Sequence, residues 1–270
     1  MIRTAPLTLT CIALLSYGPG LLAQSEVSPS TGDEQAVVVP AIPDDARLIL
    51  DRSIEAMGGA EAMASFQSSR STCHLELGEL KTTLVMLTGK PNLFLTRHEI
   101  EGLGVMEMGF DGTQGWRKDP PDGTLTKIDK EEAIDFAERL DLQAMVRHPE
   151  RTYSEISVLP QETFERIPCS ILSMKNEDRS AKAYFDQETG LLKAIELVDP
   201  KARASNRRVV IAEWSDPDKM MPLRWVRAFR VEQPRETLMV TYDYMTFDDV
   251  PESTFIAPAE LQEDRRDADG

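Results

Sequence analysis

The stretch from Gly89 to Trp116, GKPNLFLTRHEIEGLGVMEMGFDGTQGW, constrains the fold more than any other part of the chain. It reads as two antiparallel strands and the start of a third, joined by tight turns. Pro91 and Asn92 open the first strand, and Leu93-Phe94-Leu95 load it with apolar bulk. Glu101-Gly102-Leu103-Gly104 is a glycine-rich hairpin connection, Val105 to Phe110 is the return strand, and Asp111-Gly112 turns the chain towards Trp116. Adjacent strand residues point to opposite faces, so only one of Leu93 and Phe94 can line an interior.

The same pattern recurs on both sides. Cys73, Leu75 and Leu77 alternate with Thr72, His74 and Glu76, as in a strand with one wet face. Gly78-Glu79 turns the chain, and Thr82 to Leu87 is the next strand. Pro120-Pro121-Asp122-Gly123 is a strong turn signal, followed by a short strand from Thr124 to Ile128. Beyond Tyr153 the candidate strands are Ser154 to Leu159, Cys169 to Lys175, Ala181 to Asp186, Leu191 to Val198, Arg207 to Trp214, Leu223 to Val231 and Thr237 to Phe247. Val209, Val210 and Ile211 make one of them apolar on both faces. Leu223, Trp225 and Phe229 share a face of another. Short strands joined by hairpin turns predict one meandering antiparallel sheet. Such a sheet carries too much apolar surface to stay flat and uncovered.

Two segments can cover it. Asp44 and Asp45 are placed to cap a helix that runs to about Met57, with Leu48, Ile49, Ile54 and Met57 in an apolar stripe. Gly58-Gly59 stops it, and Ala60 to Phe66 resumes as a short helix with Met63 and Phe66 on one face. Asp129 to His148 is the second helical region. Ala133, Phe136, Ala137, Leu140, Ala144 and Met145 form its apolar side, and Pro149 ends it.

Residues 1–23 read as a signal peptide, with Arg3 before an apolar run from Leu7 to Leu15 that is too short to span a membrane. Cys11 sits inside that run rather than after a small residue at its end, which argues against lipidation. Residues 24–43 read as a flexible linker, 44–258 as one domain and 259–270 as an acidic disordered tail. Cys73 and Cys169 remain in the exported chain, either paired or buried as separate thiols. The net charge of −16 opposes nucleic acid or an anionic membrane surface as the main partner.

Lys90-Pro91-Asn92-Leu93-Phe94, followed by Asp111-Gly112 and Trp116, is similar to the core of the periplasmic lipoprotein-carrier (LolA-like) family. Tyr184-Phe185-Asp186 with Thr189-Gly190-Leu191-Leu192, and Phe247-Asp248-Asp249-Val250-Pro251 with Phe255 and Pro258, fit a broader set of relatives. The resemblance spans roughly Asp45 to Pro258 in element order. It implies a mainly β fold with covering α-helices, a LolA-like curved antiparallel half-barrel. The family pattern has Arg before Pro-Asn-Leu-Phe, bonding backbone carbonyls of the covering helices to hold a lid shut. Lys90 donates hydrogen bonds but lacks the planar fork. The latch here is therefore weaker, or Lys90 is a solvated charge at a strand end.

The three histidines, His74, His98 and His148, fall in no zinc-binding spacing, and the chain has no nucleophile elbow, Walker sequence or dinucleotide fingerprint. The chain is thus expected to be no enzyme and to need no cofactor or metal. The candidate lipid-binding residues, in cavity or lid, are Lys90, Leu93, Phe94, Trp116, Phe136, Leu140 and Trp225. Trp116 is either a cavity wall or a core anchor with its N–H satisfied. The eleven methionines after Met1 suit an adaptable apolar lining or ordinary core filling. The resemblance implies a periplasmic carrier for acyl chains of lipoproteins or other lipids, moving between an inner-membrane donor and an outer-membrane acceptor. The alternatives are an envelope lipid or lipoprotein sensor on the same fold, and an interaction protein with a filled core.

Overall fold

The computed structural model describes residues 41–140, 146–177, 179–198, 207–217, 221–234 and 236–261. The signal peptide, nearly all of the linker and residues 262–270 lie outside the described residues. Two helices come first, α1 (Asp44–Ala56) and α2 (Ala60–Ser65). Six strands follow: β1 (Ser68–Leu77), β2 (Leu80–Gly89), β3 (Leu93–Ile100), β4 (Gly104–Phe110), β5 (Gly115–Asp119) and β6 (Thr124–Ile128). After α3 (Lys130–Leu140) come β7 (Glu155–Phe164), β8 (Ile167–Lys175), β9 (Ser180–Asp186), β10 (Leu192–Val198), β11 (Arg207–Trp214), β12 (Val226–Glu232) and β13 (Thr237–Phe247). No helix among the described residues is long and apolar enough to cross a membrane.

All thirteen strands form one antiparallel sheet in the order β6-β5-β4-β3-β2-β1-β13-β12-β11-β10-β9-β8-β7. It is two hairpin meanders joined through β1 and β13. The sheet does not close, since β6 and β7 are its two edges. This is the curved half-barrel expected from the sequence.

The registers carry one apolar face from end to end. Leu77, Leu238, Val231, Val209, Ile195, Ala183, Leu172 and Val158 are successive cross-strand partners from β1 to β7. In the other meander, Thr88, Phe94, Phe110, Gly115 and Ile128 make a similar row. This is the concave face. Helices α1 and α2 cover its β7–β10 part through Ala46, Leu50, Met57 and Met63. Helix α3 covers the β3–β6 part, where Ala133, Ile134, Phe136 and Ala137 meet Phe94, Met108, Phe110 and Ile128.

Two expectations for α1 change. Pro43 holds the cap position and makes no side-chain cap bond, while Asp45, inside the first turn, accepts from the Ala46 N–H at 2.8 Å through Oδ1. The charges of Asp44 and Asp45 still face the helix N-terminus, where the exposed amides favour anions. The buried stripe is Ala46, Leu50, Ser53 and Met57, at spacings of about one and two turns, while Leu48 points outward and is 71% exposed. The strand expected from Leu223 starts at Val226. The loop before it is used otherwise: Arg224 N–H donates to Met57 O at 2.9 Å and Trp225 N–H to Ser215 Oγ at 2.9 Å.

The convex face has its own cover. After β13 the chain crosses β2–β6 on the outside. Val250 and Phe255 pack on Leu87, Leu93 and Leu95, and Ala257 and Leu261 pack on Trp116 and Leu125. Ordered packing thus reaches Leu261, three residues beyond the domain boundary expected at Pro258, because Leu261 caps the buried Trp116 ring. Cys73 and Cys169 are separate buried thiols on opposite faces, Cys73 beside Leu84 on the concave side and Cys169 beside Tyr184 on the convex side.

Two glycines set the thickness of these layers. A Cβ on Gly109 would lie 2.7 Å from the Trp116 ring, which rests on that backbone from outside. A Cβ on Gly115 would lie 2.9 Å from Cβ of Ala133, where α3 approaches from inside. Gly115→Ala therefore forces α3 off the sheet. We expect a loss of about 1–3 kcal/mol, read as a lower urea midpoint at unchanged slope.

Candidate functional site

The concave face is the candidate site, because its apolar clusters run across the sheet and its covers are short. Its lining is aliphatic and methionine-rich. Met86, Met106, Met108 and Met174 are buried on the sheet, and Met57 and Met63 come from the α1–α2 region. The central part, from Leu84 and Cys73 through Tyr242 and Phe229, packs with Trp225, whose ring stands edge-on to Tyr242 at 6.0 Å.

Four buried polar side chains interrupt this lining on β1–β3: Ser71, Thr82, Thr96 and His98. Thr96 Oγ1 donates to Met108 O at 3.3 Å. His98 Nε2 and Thr82 Oγ1 are 2.7 Å apart. His98 is only 2% exposed, and burial holds its imidazole below the usual histidine range, so it is neutral near pH 7. Burial, with the charge of Asp243 as a smaller cause, pushes the Cys73 thiol up to about 12. Cys73 is thus a small apolar group and no nucleophile.

Among the described residues, the covers are tied by bonds to backbone carbonyls. Lys90 Nζ donates to Ala64 O at 2.7 Å, near the end of α2. Arg52 on α1 donates to Gln187 O and, at 3.0 Å, to Glu188 O in the β9–β10 turn. The Arg224–Met57 bond ties the end of α1 to the loop before β12. Lys90 therefore makes the type of contact that the family's Arg implies, with one donor in place of a fork. Such bonds at the solvent edge are weak and reversible.

The structure divides the sequence candidates. Phe94 and Phe136 meet between sheet and α3, with ring centroids 5.1 Å apart. Trp225 joins the central cluster of the concave face. Lys90 sits at the rim. Leu93 and Trp116 lie on the convex face under the C-terminal segment, so they do not line the concave interior. The alternation that puts Phe94 inside necessarily puts Leu93 outside. Trp116 is a core anchor there, but its buried Nε1–H has no hydrogen-bond partner among the described residues. Leu140 ends α3, and its side chain is outside the described residues. Thr82, Thr96 and His98 were missed as a group. The signal was the parity Phe94-Thr96-His98-Ile100, which puts all four on one face once Phe94 is known to be inside.

A catalytic arrangement is weakly represented. Thr83 Oγ1, His74 Nδ1 and His74 Nε2, Asp243 Oδ2 are in line at 3.2 and 2.7 Å across β2, β1 and β13. This trio stands exposed on the convex sheet, where the ladder consumes the backbone N–H groups that an oxyanion would need. Among the described residues no group of three or more His, Cys, Asp or Glu side chains could hold a metal ion.

Two measurements follow from this geometry. The folded pKa of His98 lies below its unfolded value of about 6.5. Its unfolded form therefore takes up a proton first, and stability falls as pH drops from about 6.5 towards the folded pKa, by at most about 1.4 kcal/mol per pH unit. His98→Gln should remove that component from urea titrations at stepped pH. Lys90→Met should lower hydrogen-exchange protection across Ala60–Ser65 while β8 and β9 stay protected.

The sequence matches no protein-family model. It also matches none of the curated proteins. Solved structures are similar in fold. A DUF1329 family protein from Desulfovibrio piger superposes with a TM-score of 0.55 at 15% identity, covering 79% of this chain and 98% of its own. A domain assigned to outer-membrane lipoprotein sorting, from Vibrio parahaemolyticus, gives 0.53 at 12% identity, covering 78% and 97%. A LolA superfamily protein from Nitrosomonas europaea gives 0.52 at 12% identity, with the same coverage. The thirteen-stranded open sheet with its covering helices is the LolA-like fold.

Proposed function

We propose that the chain binds acyl chains of lipids or lipoproteins on its concave face and carries them through the periplasm towards the outer membrane. The observation that carries this reading is the continuous apolar face, covered at its two ends by helices that, among the described residues, are held by side-chain packing and solvent-edge bonds to carbonyls. Here the seal is Lys90 on α2, Arg52 on α1 and the packing of α3 on Phe94. The fold shared with a lipoprotein-sorting domain supports the same reading.

The mechanism is exchange of one apolar partner for another. In the closed state the helices bury the face. When α1–α2 or α3 lifts, each methylene of an entering chain gains about 0.8 kcal/mol on leaving water. That gain offsets the packing that the lifted helix gives up. Phe94, Phe136 and Trp225 would contact the chain, and Lys90 would set the ease of opening. Methionine linings adapt to chains of different shape. Release needs an acceptor that binds the chain, or the open state, better than the carrier does. The donor would stand at the inner membrane and the acceptor at the outer.

Native mass spectrometry of the protein from its own envelope fraction, followed by organic extraction, tests this. Stoichiometric lipid or acylated peptide is the expected result. An apo mass, together with no uptake of an added fluorescent fatty acid, would overturn the reading in favour of a filled core.

A further inference from the structure

The covers of the two faces meet at one corner of the sheet. On the inner side, α2 ends at Ser65 and the chain enters β1 at Ser68. On the outer side, β13 ends at Phe247, and the outer segment begins at Asp248, whose φ of +59° lies in the left-handed region. Asp248 Oδ1 accepts from the N–H groups of Gln67 at 2.6 Å and Ser68 at 3.3 Å, and Asp248 N–H donates to Ser68 O at 3.0 Å. Val250 N–H donates to Ser68 Oγ at 3.3 Å. The Phe66 and Phe247 rings pack with centroids 4.4 Å apart. Lys90 completes the corner, its N–H on Gln67 O at 2.9 Å and its Nζ on Ala64 O. Beside it the Phe255 ring lies on Gly89, where a Cβ would meet it at 3.0 Å. The end of α2 and the start of the outer segment thus share Gln67, Ser68 and the end of β2.

Two observations make the outer segment a separable element. Beneath Ala257 and Leu261 the Trp116 Nε1–H is buried with no hydrogen-bond partner among the described residues. The seated segment therefore keeps a donor from water unpaired, and lifting it returns that donor to solvent. In addition, Thr254 N–H and Leu261 N–H donate within the segment, to Pro251 O and Pro258 O, so these amides are not spent on the sheet.

We infer that Asp248 couples the two covers. When the outer segment lifts from Trp116 and Phe255 leaves Gly89, the bend at Asp248 shifts, Gln67 and Ser68 lose their acceptor, and α2 loosens on the concave face. The convex surface is then a control point for the concave one. This goes beyond the acyl-chain reading and stands without it, since it concerns only the motion of the covers.

Hydrogen exchange of the full chain tests the coupling, read on Ala60–Ser65 with α3 and β8 as references. Phe255→Leu weakens the seat of the outer segment while keeping an apolar side chain. It should speed exchange across Ala60–Ser65 about fivefold, the order of one hydrogen bond, and leave α3 and β8 unchanged. Asp248→Gly keeps the left-handed bend and removes the acceptor. It should speed the same amides, and the double variant should exchange no faster than Asp248→Gly alone. Asp248→Asn tolerates the bend and keeps Oδ1, so it should behave as wild type. Faster exchange in the outer segment of Phe255→Leu without a change in α2 overturns the coupling. So do single effects that multiply in the double variant. Equal acceleration of α2, α3 and β8 assigns the change to global stability and overturns it as well. An Asp248→Asn variant that behaves like Asp248→Gly overturns the acceptor role.

Discussion

Everything on the concave face depends on one non-local pairing, that of β1 with β13. Each meander by itself is a run of local hairpins with two open edges and part of an apolar surface. The β1–β13 ladder places Leu75 beside Val240 and Leu77 beside Leu238, and the two surfaces become one. A register shift between Thr72 and Cys73 lies within that ladder. Others fall at Leu159/Glu162, Leu192/Ala194 and between Ile211 and Trp214. Bulges sharpen local twist, and here they recur along a sheet that must curl around its covers.

The two faces are sealed by different means. Outside, the cover is the continuation of β13 itself, anchored by Phe255 against Leu87 and by Leu261 against Trp116. Inside, the covers are α1 and α2, which lead directly into β1, and α3, which follows β6. Among the described residues they touch the sheet through side-chain packing and bonds to carbonyls. Both kinds of cover are thus continuous in sequence with strands of the sheet.

Much of this was legible in the sequence, and what was not has a physical reason. The strands Thr124–Ile128, Arg207–Trp214 and Thr237–Phe247 have the bounds read from alternation and turn residues, because both signals are local. Alternation also showed that Leu93 and Phe94 face opposite ways. It could not show which way is in, since that depends on where α3 and the segment after β13 come to rest. Trp116 was open to two readings for the same reason. The buried stripe of α1 includes Ser53, a residue that a hydropathy pattern excludes, whereas Leu48, which such a pattern includes, faces solvent. The Thr82–His98 contact joins two strands across a diagonal, and no single-strand pattern contains it.

The segment from Thr237 to Leu261 has a consequence for how the chain is made. It supplies the strand that joins the two meanders and the cover for the outer face. Ser68 and Asp248, hydrogen-bonded at this seam, are 180 residues apart in sequence. A chain emerging amino-terminus first can form the β1–β6 hairpins early, but it must leave Leu75, Leu87 and Trp116 uncovered until nearly the last described residues arrive. Closing so long a loop is slow, and the waiting strands expose both an edge and apolar side chains. The molecule is thus most prone to aggregate just before it is complete, and a factor that shields nascent β1 would raise its yield without touching its final stability.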